Sequence, residues 1–242
     1  MTRVTLGWGL AVLLLSGCAP SAPARSGSAP TAGPRTTTVL PTPRFPAYSA
    51  TATVPSVAVH AAPGGLVTVT HANPQPSGAP LVFLEVAERP GWVQVQLPIR
   101  PNGSTGWVRA ADVTVAGVAY RLEVRRARHQ LEVYRFGQLE RTFPVGIGTS
   151  QTPTPGGTFY LKELLQPPTS AGPYGPFAYG LSGFSNTLRS FAGGDGVIGI
   201  HGTDHPELVG RDVSHGCIRL RNADITVLAH ELPLGTPVRI FA

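Results

Sequence analysis

One stretch of this chain gathers groups able to do covalent chemistry: IGIHGTDHPELVGRDVSHGCIRL, residues 198–220. It holds three of the seven histidines, His201, His205 and His215, and one of the two cysteines, Cys217. A cysteine thiol has an ordinary pKa of about 8.5 and is mostly protonated at neutral pH. A neighbouring imidazole can take the proton and leave a nucleophilic thiolate. Acyl transfer then needs backbone N–H groups aimed at a tetrahedral oxyanion. It also needs a base whose ring is held in one tautomer by a second contact. Gly216 permits close backbone approach, so the amides of His215, Gly216 and Cys217 can serve the oxyanion if the turn is tight. Either His201 or His215 can be the base. His215 is two residues from Cys217, and on an extended segment both side chains would share a face. A zinc site from His201, His205, His215 and Cys217 has the right residue types, but the spacing matches no short zinc motif.

The elements that must position these groups are legible around them. Val197-Ile198-Gly199-Ile200 reads as a buried strand that delivers His201 at its C-terminal end, with Gly202 leaving space beside the ring. Pro206 and Gly210 bracket one helical turn, which would carry the chain back so that Cys217 faces His201. His205 is expected at the surface or in a cap. Upstream, 120–124 and 130–135 read as strands, with a turn at 136–138 and a further strand over 139–146. Thr152-Pro153-Thr154-Pro155-Gly156-Gly157 is a stiff turn before a strand at 158–161. Residues 166–194 show no period and are expected to form a long irregular lid over a cleft. Asn222 is expected to cap a short helix with Ile225, Leu228, Ala229 and Leu232 on one face. Pro233 stops it, and 236–241 is a last strand. About 120 residues can bury a core of their own.

The N-terminal half reads differently. Leu6 to Leu15 is an apolar run after Arg3, too short to span a bilayer as a stable helix. It has the character of a secretory h-region. Leu15-Ser16-Gly17-Cys18 closes it and resembles a bacterial lipobox, which implies cleavage before Cys18 and a diacylglycerol on its sulfur. Cys217 would then have no intramolecular partner. In an exported protein an unpaired thiol is either reactive or a buried inert residue. Residues 19–50 are rich in Ala, Pro, Ser and Thr and are expected to be a disordered tether reaching about 30 Å. From 51 to 117, short runs with period two (56–60, 65–69, 81–86, 92–97, 106–109) alternate with Pro/Gly/Asn turns, as in a small barrel. Gly91-Trp92-Val93-Gln94-Val95 and Gly106-Trp107-Val108 resemble bacterial SH3-like modules. The net charge is +6, and Arg121, Arg125, Arg126 and Arg128 alternate with apolar residues as a solvated strand face. No nucleic-acid motif accompanies them, so no nucleic-acid partner is expected. The excess positive charge suits an anionic envelope polymer or lipid headgroups.

Twelve residues separate His201-Gly202-Thr203, counted from His201, from Ser214-His215-Gly216-Cys217-Ile218-Arg219-Leu220. This arrangement resembles the signature of the L,D-transpeptidase catalytic domain, the YkuD family. Thr152–Phe159 resembles that family's second recurring segment. The resemblance covers about Tyr120 to Ala242. It implies a β-rich YkuD-like domain with short helices at 118–242; with the signal peptide 1–18, tether 19–50 and SH3-like barrel 51–117 read above, the chain is expected to be mainly β. It implies Cys217 as nucleophile, His201 as general base, and the His215–Cys217 turn with Gly216 as oxyanion hole, organised by the His215 ring. Ser214, Arg219 and Gly202 are implied supporting residues; some members carry asparagine where Arg219 stands. The implied substrate is the peptidoglycan stem peptide. The thiolate attacks the carbonyl of its third residue, D-alanine leaves, and a neighbouring stem amine resolves the thioester into a 3→3 crosslink. Water would make the enzyme a carboxypeptidase, and a protein amine would attach that protein to the wall. Neither metal nor organic cofactor is implied. The implied location is outside the cell, anchored through Cys18 and facing the wall. The rival to all of this is a non-catalytic wall-binding lipoprotein.

Overall fold

The structure, a computed structural model, describes residues 45–191 and 193–242. The expected signal segment, the lipidation of Cys18 and the tether as far as residue 44 lie outside the described residues. Among the described residues, two large sheets, a two-stranded pair and one α-helix lie within one compact unit.

The first sheet contains β1 (Ala47–Ala52), β2 (Ser56–His60), β3 (Val67–Ala72), β4 (Val82–Arg89), β5 (Trp92–Gln96), β6 (Thr105–Arg109) and β7 (Val113–Val118), in the order β3-β2-β6-β5-β4-β1-β7. Alternation builds it: Val57 and Val59, Val93 and Val95, each two apart, point to one side and are buried. With Ala50, Phe83, Leu81 and Val108 they form a separate core. Pro90 and Gly91 close the β4–β5 hairpin, where Gly91 takes φ +76°. The tether boundary expected at residue 50 is corrected. Residues 47–50 belong to β1, which pairs with both β4 and β7. Its small residues (Ala, Ser, Thr) look like a linker, yet Ala50 is fully buried, because a small side chain suits a strand flanked closely on both sides.

The second sheet has the order β10-β9-β8-β17-β12-β13-β14-β16. Its strands are β8 (Tyr120–Arg125), β9 (Gln130–Arg135), β10 (Gln138–Pro144), β12 (Gly157–Leu165), β13 (Ala178–Phe184), β14 (Val197–His201), β16 (Ile218–Arg219) and β17 (Pro237–Phe241). The β8–β17 and β14–β16 pairs are parallel. A small parallel pair, β11 (Ile147–Gly148) with β15 (Asp212–Ser214), lies beside it. The helix α1 (Asn222–Glu231) buries Ile225 and Leu228. The core runs from Leu122, Val124 and Leu131 through Phe159, Leu161 and Tyr179 to Ile198, Ile200 and Ile218. The Tyr179 hydroxyl donates toward the Leu228 and Leu232 carbonyls at 3.1 and 3.0 Å, satisfying the end of α1.

Two further expectations are corrected. The irregular segment 166–194 contains β13, a strand between β12 and β14. Glycine hid it: Gly180 and Gly183 are small because Glu163 and the Phe159 ring occupy the space their Cβ atoms would need. Asn222 is not the helix cap. Arg221 holds that position, without a side-chain cap bond. The Asn222 Oδ1 instead accepts the Thr203 N–H at 2.8 Å, tying the helix start to the residues just after His201.

The first sheet packs on the second along β12. Gln96 Nε2 donates to the Thr158 carbonyl at 2.7 Å, and Gln75 Nε2 to the Lys162 carbonyl at 3.2 Å.

Candidate active site

Strands β14 and β16 bring the reactive groups together. Their parallel register sets Ile200 opposite Ile218 and His201 opposite Arg219. Cys217, one residue before β16, lies beside Gly199, whose N–H donates to Sγ at 3.3 Å. His201 is two residues on from Gly199 and therefore on the same face. A Cβ at Gly199 would stand 3.9 Å from Cys217 Sγ and 3.7 Å from His201 Cδ2. Residue 199 thus borders both the thiol and the imidazole, and its tightest neighbour is the Tyr179 carbonyl oxygen, 3.1 Å from where a Cβ would stand.

His201 is 3% exposed. Its Nδ1 lies 2.6 Å from the Gly202 carbonyl oxygen. A carbonyl only accepts, so Nδ1 carries the hydrogen and Nε2 is left as the acceptor. Burial pushes the pKa of His201 down to about 4, opposed by the Gly202 carbonyl and reinforced by the Arg219 charge. Burial pushes the Cys217 thiol up, with the Gly199 N–H and Arg219 pulling partly back. The resting pair is therefore a neutral thiol and a neutral imidazole, not an ion pair. The Tyr174 ring meets His201 edge-on, 4.9 Å between centroids. Gly202 is small for a reason: a Cβ there would come within 3.0 Å of Gly175 Cα and 3.1 Å of Pro176 Cδ.

The turn before the thiol is held by Ser214. Its Oγ donates to the Cys217 carbonyl at 2.6 Å and accepts the Gly216 N–H at 3.1 Å. Of the three amides expected to face an oxyanion, that of Gly216 is thus engaged. Gly216 itself adopts φ +117°, where a Cβ would lie 2.9 Å from Ile198 Cδ1. That conformation breaks the extended geometry that would put His215 and Cys217 on one face. His215 is exposed and stacks on Phe191, 4.7 Å between centroids at 28°. The proline-rich turn buttresses this loop from behind: the Thr149 N–H and Thr152 Oγ1 both donate to the Ser214 carbonyl at 3.1 Å.

His205 is not brought in. It is exposed and pairs with Glu207 at 3.0 Å on the 3-10 turn Pro206–Leu208. Among the described residues no group of three or more His, Cys, Asp or Glu is placed to hold a metal ion, so the four zinc candidates do not converge. Arg219 exchanges backbone hydrogen bonds of 2.8 Å with Gly146. Its Nε is buried without a hydrogen-bond partner, and among the described residues no carboxylate forms a salt bridge with it.

Two cavities meet at the thiol. One of about 550 Å³ is bordered by Glu163, Tyr174, Tyr179, Phe191, His201 and Cys217. The other, about 260 Å³, is bordered by Tyr174, Phe191, His201, His215, Cys217 and Arg219. Tyr174 and Phe191 wall both, and neither is singled out by the sequence. The only signal was their setting in the aperiodic segment 166–194, where aromatic residues stand among Pro and Gly.

A family model described as the L,D-transpeptidase catalytic domain, YkuD, matches residues 119–240. The YkuD protein of Bacillus licheniformis is 34% identical over 154 residues, covering 61% of this chain and 85% of its own. That of Bacillus subtilis is 29% identical over 150 residues, covering 60% and 83%. A solved L,D-transpeptidase from Mycobacterium smegmatis aligns over 67% of this chain and 90% of its own, at 16% identity and a TM-score of 0.44.

Proposed function

The chain belongs to the L,D-transpeptidase catalytic-domain (YkuD) family, and from that premise we propose that Cys217 is the nucleophile of a peptidoglycan stem-peptide acyltransferase. The observation that carries the reading is the placing of the Cys217 thiol and the His201 ring on either side of Gly199. Sγ is held by the Gly199 N–H, and the single tautomer of His201 leaves Nε2 open as the base.

The stem peptide lies in the larger cavity with the carbonyl of its third residue against Sγ. As sulfur attacks, Nε2 of His201 takes the thiol proton, so no resting thiolate is needed. The oxyanion forms against the N–H groups of His215 and Cys217, since Ser214 holds that of Gly216. The tetrahedral species collapses, the C–N bond breaks, and His201 returns the proton to the departing D-alanine amine. A thioester remains. An amine of a neighbouring stem attacks it, loses its proton to His201, and forms the 3→3 amide; the thiol is regenerated. The His215 ring, held on Phe191, organises the turn. Arg219, which borders the smaller cavity with no carboxylate beside it, receives the terminal carboxylate of the donor. The first sheet acts as an SH3-like module against the wall, and a lipid on Cys18 anchors the chain to the membrane.

The test is intact-mass analysis of the full chain with a tetrapeptide-stem disaccharide, beside Cys217→Ser and His201→Ala. An adduct or crosslinked dimer that requires both residues establishes the chemistry, and the product mass separates crosslinking from hydrolysis. Folded protein with a reduced thiol that forms neither adduct nor product overturns the reading.

A further inference from the structure

The wall of the catalytic cavity is held from the other sheet. Residues 185–196, between β13 and β14, carry Phe191, Gly194, Asp195 and Gly196, all of which border the larger cavity. Within the loop the order is local: the Ser185 N–H donates to the Gly196 carbonyl at 2.8 Å, Phe191 and Gly194 exchange bonds of 2.9 Å, and the Thr187 and Leu188 N–H groups donate to Ser185 Oγ at 3.3 and 3.0 Å. Its side chains are mostly exposed, Phe191 at 43%. A segment that buries so few apolar groups cannot offset its own conformational entropy.

Those bonds are joined by others from the β5–β6 connection of the first sheet. Arg100 Nη1 donates to the Ser185 carbonyl at 2.7 Å, and Nη2 to the Leu188 and Asp195 carbonyls at 3.0 Å each. The guanidinium also lies over the Phe184 ring, 4.8 Å from its centroid. Asn102 pairs with Phe184 like an added strand residue: Nδ2 donates to its carbonyl at 2.8 Å and Oδ1 accepts its N–H at 2.9 Å. Three carbonyls from both ends of the loop thus converge on one cation. Arginine can do this because its five donors lie in a fixed plane. The fit is tight enough to dictate glycine: at Gly196 a Cβ would stand 2.5 Å from the Leu188 oxygen and 3.2 Å from Arg100 Nη2.

We propose that Arg100 and Asn102 are positioning residues for the acyl transfer: they clamp loop 185–196 so that Phe191 stays stacked on His215 and keeps the substrate cavity in shape. The first sheet is then part of the catalytic apparatus without touching substrate. This rests on the reading that the cavity takes the stem peptide.

Full-length Arg100→Ala, Arg100→Lys, Phe191→Ala and the Arg100→Ala/Phe191→Ala double variant are assayed with the tetrapeptide-stem donor. Arg100→Ala raises KM at least tenfold and lowers kcat by a smaller factor, because the thiol and imidazole are untouched and only the Phe191–His215 stack is loosened. Arg100→Lys recovers only part, since an ammonium lacks the fork. The double variant is no worse than the worse single, as both act through one loop. The reactivity of Cys217 toward iodoacetamide stays within twofold of wild type. An unchanged KM in Arg100→Ala, or additive losses in the double variant, overturns the clamp. If wild type itself does not process the donor, the functional reading has failed on its own. Hydrogen exchange then decides the clamp: faster exchange confined to 185–196 in Arg100→Ala supports it, and no change overturns it.

Discussion

The Nδ1 of His201 sits 2.6 Å from the carbonyl oxygen of Gly202, its own neighbour in sequence. This contact fixes which nitrogen carries the hydrogen, and it operates in a pocket that disfavours the charged ring. The folded pKa of about 4 lies below the ordinary value of 6.5. The base is therefore available far into acid, and kcat/KM for acylation should fall with a midpoint near pH 4, not near 6.5, since it reports the free enzyme. An acid limb at 6.5 would assign the base elsewhere.

The same shift has a cost in stability. The unfolded chain binds a proton at His201 from about pH 6.5 downward, while the folded chain refuses it until about pH 4. Stability from this residue is thus complete above pH 6.5 and is lost as the pH falls toward 4, by roughly 3 kcal/mol. His201→Gln should lose correspondingly less between pH 7 and 4 in denaturant titrations. Equal slopes for the two proteins would refute the burial argument.

Gly216→Ala should be costly twice over. The backbone at φ +117° is strained for any L side chain, and the new methyl meets Ile198 Cδ1 at 2.9 Å. We expect a stability loss of about 1–3 kcal/mol and acylation reduced by about a hundredfold, because the turn that presents the Cys217 amide must shift. Thermal melts and single-turnover acylation read the two effects separately.

Arg219→Gln tests the carboxylate partner. Wild type should prefer a donor with a free terminal carboxylate over its amide by at least about tenfold, in line with a charge-assisted hydrogen bond. The variant should treat the two alike while processing the amide as wild type does. A preference that survives the substitution would place carboxylate recognition on another residue.

A fragment beginning at residue 51 removes most of β1. It leaves β7 without its only strand partner and opens the edge of β4. It should melt lower than a fragment beginning at residue 45, or aggregate through the exposed edges. Coincident melts would return residues 47–50 to the linker.

Much of this was legible in the sequence, and the exceptions share a cause. Strands β2 and β9 run over the residues that alternation marks, because their apolar members are large and face one core. The strand and turn of the proposed site were legible because His201, Ser214 and Cys217 lie within one short run whose glycines have nearby steric reasons. Strand β13 was hidden because its glycines answer to Phe159 and Glu163, about twenty residues away on β12. The bonds from Arg100 span 85 to 95 residues, and no local pattern announces a cation whose partners are backbone carbonyls. Phe191 and Tyr174 gain their meaning only from the histidines they meet across the fold.

Lys162 is the single lysine of this sequence. Its Nζ is 2.9 Å from Glu163 Oε1, and its side chain is only 17% exposed. An enzyme that hands acyl groups to amines can meet amines on other copies of itself. Here those copies present no open ε-amine among the described residues. On the proposed mechanism the catalyst is thereby a poor victim of its own reaction: a thioester on Cys217 would survive collisions with its kin and wait for the amine it is meant to meet.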